Sequence, residues 1–513
     1  MTAPVQALIL EPKPLTIGDV VAVARHARRV EVGRSALAAL AASRAVVEHA
    51  LGDGLPHYGL NTGFGSLSRQ SIPTHAVAEL QRNLVRSHAC GVSEPLPTDV
   101  VRAMMLLLAA SLCRGMSGVR AVIPEQIVRL LNAGLTPLVP SVGSVGASGD
   151  LAPLAHVALA LIGEGFITQH GKTIPASEAL ANANISPVAL EAKEGLALIN
   201  GTHLMAAQGA LLCHDADLTF DAALVAAAMS IDASRGTDAF LDPRVHEARQ
   251  QSGQQLVASR LRSLLEGSEV IPSHRENDPR VQDPYSLRCT PQVLGGALDC
   301  MLYVEQSISD ELGAVTDNPL VFAPEPGQAP DPHSSIVSAG NFHGMPLAIP
   351  LDAMTIALAH VAGISERRTF WMLSNFDPEA HLKPYLTPKP GLNSGLMIVQ
   401  YTAAACCNEI ITLSTPASVS NVVTSAGIED YNSFGPRAAA KARRALELTQ
   451  TVVAIELLCA AQGLEYHRPL KSGAAVERAH AAIRAKVPAL QDDRVLAPDI
   501  DAVLRLVQAG AFS

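Results

Sequence analysis

Apolar residues recur at helical intervals over long stretches of this chain, and glycine or proline punctuates the short connections between them. Near the start, Leu15-Thr16-Ile17-Gly18-Asp19-Val20 reads as a cap and a helix, with Thr16 and Asp19 at capping-box spacing. Residues 35–51 are Ala-rich with helical periodicity and predict a second helix. Residues 81–91 place Ser87-His88 on another. Residues 101–113 form an apolar helix, too short and too interrupted by Arg102 and Arg114 to span a membrane, and 151–163 form one more. A polar interval to about residue 192 contains Gly171-Lys172 as a turn. Beyond Thr202 the spacing lengthens: 203–234, 292–316, 347–368, 394–413 and 438–462 read as long, weakly charged helices. Irregular segments, 237–243, 272–291, 323–344 and 375–391, separate them, and such connections carry function more often than helices do. The pattern predicts a mainly α protein with no internal repeat. We divide it into an N-terminal domain, 1–205, and a helical bundle with C-terminal helices, 206–513.

Composition sharpens this. With 513 residues, 48% hydrophobic but only 4% aromatic, the chain can bury a large core of closely packed helices. A charged fraction of 17% is low enough to predict that some surface is buried against other subunits. The net charge of −10, without a long basic run, argues against a nucleic-acid partner. Eight cysteines show no Cys-x-x-Cys, and Cys406 and Cys407 are adjacent, so neither a metal site nor a disulfide framework is indicated. Residues 1–14 lack the layout of a signal peptide, and no apolar run approaches the roughly 18 residues of a membrane span. The expected location is the cytoplasm, without membrane attachment.

The densest chemistry lies in Gly143-Ser144-Val145-Gly146-Ala147-Ser148-Gly149-Asp150-Leu151-Ala152-Pro153-Leu154-Ala155-His156. Glycines three residues apart call for backbone conformations or close approaches that a Cβ forbids. Taken alone, the stretch is a flexible loop leading into a helix capped by Asp150, with Pro153 in its first turn. A phosphate cradle is the other reading, although the Gly-Lys-Ser/Thr ending of a P-loop is missing.

This stretch resembles the signature of the aromatic amino acid ammonia-lyases, in which Ala-Ser-Gly cyclises and loses two waters to give 4-methylideneimidazole-5-one (MIO). Here the triplet is Ala147-Ser148-Gly149. Gly149 offers an unhindered amide nitrogen to attack the Ala147 carbonyl, and Ser148 a β-hydroxyl to eliminate. Other segments resemble the family too: Tyr58-Gly59-Leu60-Asn61-Thr62-Gly63-Phe64-Gly65, Asn200-Gly201-Thr202, Gln282-Asp283-Pro284-Tyr285-Ser286-Leu287-Arg288, Asp317-Asn318-Pro319 and Asn341-Phe342-His343-Gly344. The resemblance runs from Leu15 to about Ser472.

What the resemblance implies can be stated residue by residue. MIO would form autocatalytically, with no external cofactor; no lysine sits in a pattern suggesting pyridoxal phosphate. Tyr58 would take the β-proton, and needs a pKa below the usual value of about 10 to do so. Arg288 would hold the substrate carboxylate with its planar fork. Asn200, Gln282 and Tyr285 would support the electrophile and the amine, and Asn318 would belong to the binding site. His88 and Glu429 would orient an imidazole, with Phe342 and Met397 closing the pocket. In this family Ser-His at 87–88 goes with histidine as substrate, His-Leu with tyrosine and Phe-Leu with phenylalanine. Glu429 likewise stands where histidine-acting members carry Glu. Departures are Met116, Ile428, Tyr431 and the run Asn432-Ser433-Phe434-Gly435, which leans toward the phenylalanine-acting pattern.

The implied fold is a long antiparallel helical bundle of the fumarase/aspartase-like superfamily, with a smaller N-terminal domain carrying the electrophile loop. The implied assembly is a homotetramer with each site built from three subunits. The implied reaction is elimination of ammonia from the small-molecule substrate L-histidine, giving trans-urocanate. The alternatives are a lyase or aminomutase for tyrosine, phenylalanine or ergothioneine, and a catalytically silent helical scaffold.

Overall fold

The computed structural model describes residues 6–325, 327–328 and 331–513. Part of the leader reading, at residues 1–5, and part of the irregular segment 323–344 therefore lie outside the described residues. The chain is mostly helical, with short strands in two- and three-stranded sheets.

The expected helices are present with shifted ends. Thr16 Oγ1 accepts from Asp19 N at 3.1 Å and Asp19 Oδ2 from Thr16 N at 3.2 Å, closing the capping box of the helix Ile17–Ala24. The Ala-rich stretch is the helix Arg34–Gly52, and Ser87-His88 ends the helix Val77–His88. The expected helix 292–316 stops earlier, as Thr290–Glu311. Beyond it the carbonyl of Leu312 is taken by Leu15 N (3.3 Å) and that of Gly313 by Arg114 Nη1 (2.6 Å), which ends the helical ladder. The polar interval after residue 163 holds an antiparallel pair, Phe166–Gln169 with Lys172–Pro175, around the expected turn at Gly171.

Arg102, a charge in an otherwise apolar helix Thr98–Leu112, is buried. Its guanidinium donates to Val23 O (2.9 Å), Ala24 O (3.2 Å) and Leu131 O (3.1 Å). It thus satisfies carbonyls at the C-terminal ends of two neighbouring helices, Ile17–Ala24 and Val122–Asn132.

Two compact units are present. The first comprises Met1–Leu211, Glu305–Leu351 and Ala417–Ala440; the second Leu212–Val304, Asp352–Pro416 and Lys441–Ser513. Neither unit is continuous in sequence: residues 305–351 and 417–440 join the N-terminal part of the chain in the first. In the first unit the helices Val77–His88, Leu151–Leu161 and Glu194–Ile199 pack on one another and frame the triplet loop. In the second, Arg368 and Glu456 form a fully buried ion pair, Ser230 Oγ donates to Glu456 Oε1 at 2.7 Å, and Arg368 Nη1 reaches Thr290 Oγ1 at 3.4 Å. Segments of the long helices His203–Ala233, Thr290–Glu311, Met345–Ser374 and Gly435–Leu464 are thereby joined through one polar knot.

By length and composition alone, the helices Met345–Ser374 and Gly435–His467 could cross a membrane, which corrects the expectation that no run is long enough. Their most apolar windows are 67% and 89% buried within the protein, as expected of core helices.

Candidate active site

Close backbone approach fixes the triplet loop. Gly149, at φ +75°, bridges Gly201; Asp150 N donates to Gly201 O at 2.7 Å and Gly201 N to Ser148 O at 3.4 Å. A Cβ on Gly149 would stand 2.1 Å from Gly201 O, so only glycine permits this contact. On its other side the loop is held by Phe434 N to Val145 O (2.9 Å), Ser433 Oγ to Gly146 O (3.0 Å) and Gly344 N to Gly146 O (3.3 Å).

Asp150 occupies the N-cap position of Leu151–Leu161 but gives that helix no side-chain bond, contrary to the capping role read from sequence. Its Oδ2 accepts from Leu204 N (2.9 Å) and Met205 N (3.1 Å), capping the helix that starts at His203. The Gly149–Gly201 approach brings those unpaired N–H groups to the carboxylate. Full burial pushes the Asp150 carboxyl up to about 7 in spite of these donors.

Ser148 opens into a cavity of about 440 Å³ lined by Tyr58, Ser87, His88, Asn200 and Glu429, with apolar walls from Leu84 and Leu196. His88 Nδ1 lies 2.9 Å from Leu84 O, which can only accept. Nδ1 therefore carries a hydrogen. Asn200 ends the helix Glu194–Ile199, and its Oδ1 is buried without a partner among the described residues. Ser148 Oγ donates to Glu429 Oε1 at 3.2 Å. Glu429 sits on a loop closed by Thr424 N to Glu429 O (2.9 Å), in which Ser425 and Ala426 hold φ of +49° and +52°. Such conformations cost on the order of 1–3 kcal/mol each and persist where surroundings impose them.

Gly65 N–H reaches Tyr58 Oη at 3.5 Å. Burial nevertheless raises the Tyr58 hydroxyl above its ordinary value, and the Glu429 charge adds to the rise. This is opposite to the lowering that a proton acceptor needs.

Groups that the sequence did not single out brace the cavity. Fully buried Gln81 accepts from Gly195 N (2.8 Å) and Leu196 N (3.3 Å), and its Nε2 reaches Gly59 O (3.5 Å). One amide so ties the helix bearing His88 to the Tyr58 loop and the Asn200 helix. Lys193, at φ +75°, pairs with Asp317 below that helix. An isolated glutamine, or a lysine outside any motif, carries no signal of such a role in a single sequence.

The remaining candidates are dispersed. Asn318 is buried, and its Oδ1 accepts from Ala339 N at 2.7 Å; neither it nor half-buried Phe342 lines the cavity. Ile428 and Tyr431 are exposed, and Met116 O accepts from Val321 N at 2.8 Å. Gln282, Tyr285, Arg288 and Met397 belong to the second unit, where the Arg288 guanidinium carbon stands 4.6 Å from the centre of the Tyr285 ring.

Comparison with known proteins extends these observations over nearly the whole chain. The model of the family described as "Aromatic amino acid lyase" matches residues 15–485. A histidine ammonia-lyase of Deinococcus radiodurans is 47% identical, over 95% of this chain and 91% of that relative. The crystal structure of a histidine ammonia-lyase from Trypanosoma cruzi superposes with a TM-score of 0.90 at 38% identity, covering 99% of this chain and 94% of the other. A tyrosine aminomutase from Streptomyces globisporus reaches a TM-score of 0.92 at 33% identity, covering 99% and 98%. Family match, whole-chain identity and a fold shared from end to end agree: this chain belongs to the aromatic amino acid lyases.

Proposed function

We propose that the protein is a carbon–nitrogen lyase that eliminates ammonia from L-histidine to give trans-urocanate. The observation that carries the substrate reading is the cavity in which Ser148 faces both His88 and Glu429. An imidazole offers one N–H donor and one acceptor nitrogen, and a carboxylate suits the donor. The names of the 47% and 38% identical relatives support the same substrate.

The residues present fit an MIO group at 147–149. Gly149 and Gly201 approach where a Cβ would intrude, Ser148 opens into the cavity, and the buried Asn200 Oδ1 has no partner among the described residues. Such a group would supply the electrophile that turns the substrate amine into a leaving group. Tyr58 receives the β-proton at Oη, the Cβ–H electron pair becomes the Cα=Cβ bond, and the Cα–N pair departs with nitrogen, so that ammonia and the conjugated acid result. His88 and Glu429 orient the ring. Arg288 binds the carboxylate, Gln282, Tyr285 and Asn200 attend the amine and electrophile, and Asn318, Phe342 and Met397 complete the pocket. This assignment goes with a cytoplasmic homotetramer whose sites draw on three subunits, and with the electrophile loop in the N-terminal domain. A cation brought close in that assembly would reverse the rise imposed on Tyr58 by burial.

The test is ultraviolet absorbance of purified protein with L-histidine, beside L-tyrosine, L-phenylalanine and ergothioneine. Urocanate from histidine alone supports the proposal. Product from another amino acid, with silence on histidine, overturns the substrate and leaves the chemistry. An intact mass lacking the loss of two waters overturns both.

A further inference from the structure

We propose that Glu429 positions the Ser148 hydroxyl for its own elimination, serving the protein's backbone before it serves any substrate. The inference rests on the MIO reading above and deepens it. In the uncyclised chain Ser148 Oγ donates to Glu429 Oε1 at 3.2 Å, a contact across 281 residues of sequence. The carboxylate is itself fixed. Thr424 pairs with Glu429 through both backbone directions, Thr424 Oγ1 lies 3.3 Å from Oε2, and the intervening turn holds two non-glycine residues at positive φ. The Ser148 carbonyl is held separately by Gly201 N.

Those restraints suit a dehydration. Loss of water from Ser148 sends the Cα proton to solvent, and the Cα–H electron pair becomes the Cα=Cβ bond. The Cβ–Oγ pair leaves with oxygen, which takes one proton from solvent water and departs as water. In ring closure Gly149 N bonds to the Ala147 carbonyl carbon; the carbonyl oxygen leaves as the second water with the N–H hydrogens of Gly149 and Ser148, and a C=N bond forms between the Ala147 carbon and Ser148 N. The elimination requires the Cβ–Oγ bond to align with the breaking Cα–H bond. A free serine samples three staggered rotamers, and a hydrogen bond to an anchored carboxylate selects one. Glu429 acts here as a positioning residue: its acceptor bond leaves the Oγ lone pairs free for the incoming proton. Once the hydroxyl has gone, Oε1 is released into the cavity, available to a substrate N–H. Maturation therefore precedes substrate binding at the same carboxylate.

Intact-mass measurement of the full-length protein, sampled over time after synthesis, tests this without reference to turnover. Wild type is expected two waters lighter than its sequence. Glu429→Ala should lose water about tenfold more slowly, the scale set by one hydrogen bond to a charged group. Glu429→Gln, whose amide oxygen still accepts, should fall between, and Thr424→Val should slow maturation more mildly. Peptide mapping should locate the retained water at 147–149, and circular dichroism should report native helix content. Should Glu429→Ala not fold, Glu429→Gln and Thr424→Val carry the test. Variants that reach wild-type mass at the wild-type rate overturn the inference alone. Wild type retaining both waters overturns the proposed function with it.

Discussion

Lys193 Nζ lies 2.6 Å from Asp317 Oδ2, and the two side chains are 0% and 3% exposed. The pair sits at the start of the six-residue helix Glu194–Ile199 whose far end presents Asn200. Desolvation weighs against both charges, so the pair matters most when it is broken. Lys193→Met should cost about 3–5 kcal/mol in chemical denaturation by leaving Asp317 charged and buried. Lys193→Met with Asp317→Leu should recover most of that loss. A double variant as unstable as the single one would rule out the orphaned charge as the cause.

Gln81 makes a different prediction, because its bonds go to backbone. Gln81→Leu strands the N–H groups of Gly195 and Leu196 and the carbonyl of Gly59 in the interior. We expect a loss of about 2–4 kcal/mol, from an unsatisfied-group cost of about 1–3 kcal/mol each with partial relaxation. Turnover should fall further than stability explains, since Tyr58 and Asn200 both shift. Wild-type kcat under conditions where the variant is fully folded would refute that coupling.

Stability against pH should carry two opposed contributions between pH 4 and 7. The Asp150 carboxyl is raised by burial from 3.8 to about 7, so its contribution is full below 3.8 and is lost as pH rises through 7. His203, fully buried, is lowered from 6.5 to about 4; its contribution is present above 6.5 and is lost as pH falls through 4. Relative to wild type, the Tm of Asp150→Asn should therefore improve as pH rises across this window, and that of His203→Gln should decline. Parallel Tm curves for the three proteins would show that neither group titrates as its burial implies.

For Tyr58→Phe, elimination should drop by about 10²–10⁴-fold, the usual worth of a positioned proton acceptor, with KM little changed. Wild-type activity should climb with pH on its acid side, because the acceptor works only when deprotonated. Equal kcat in the two proteins would remove Tyr58 from the reaction.

Much of this architecture is legible in the chain itself, and the limits of legibility are physical. Local signals carried through: Thr16 and Asp19 form their box, and the long weakly charged runs are helices. Helix ends set by tertiary partners did not, as where Leu15 and Arg114 take the carbonyls beyond Glu311. Asp150 shows the same limit at one residue. Its sequence position gives it a cap, but whose cap depends on a contact between Gly149 and Gly201 that no local pattern encodes. In the candidate site, Tyr58, His88, Ser148, Asn200 and Glu429 line one cavity. Gln81 and Lys193 were invisible because their work is done on distant backbone and on a distant carboxylate.

The grip on the triplet loop also sets a timetable. A nascent chain holds Ala147-Ser148-Gly149 long before it holds the groups that shape them: Gly201, then Gly344, then Ser433 and Phe434. On the ribosome the three residues lack the full set of these partners until the chain has passed residue 434. The electrophile proposed for this triplet, if that grip is what builds it, would thus be withheld from half-made chains, where it would meet stray nucleophiles.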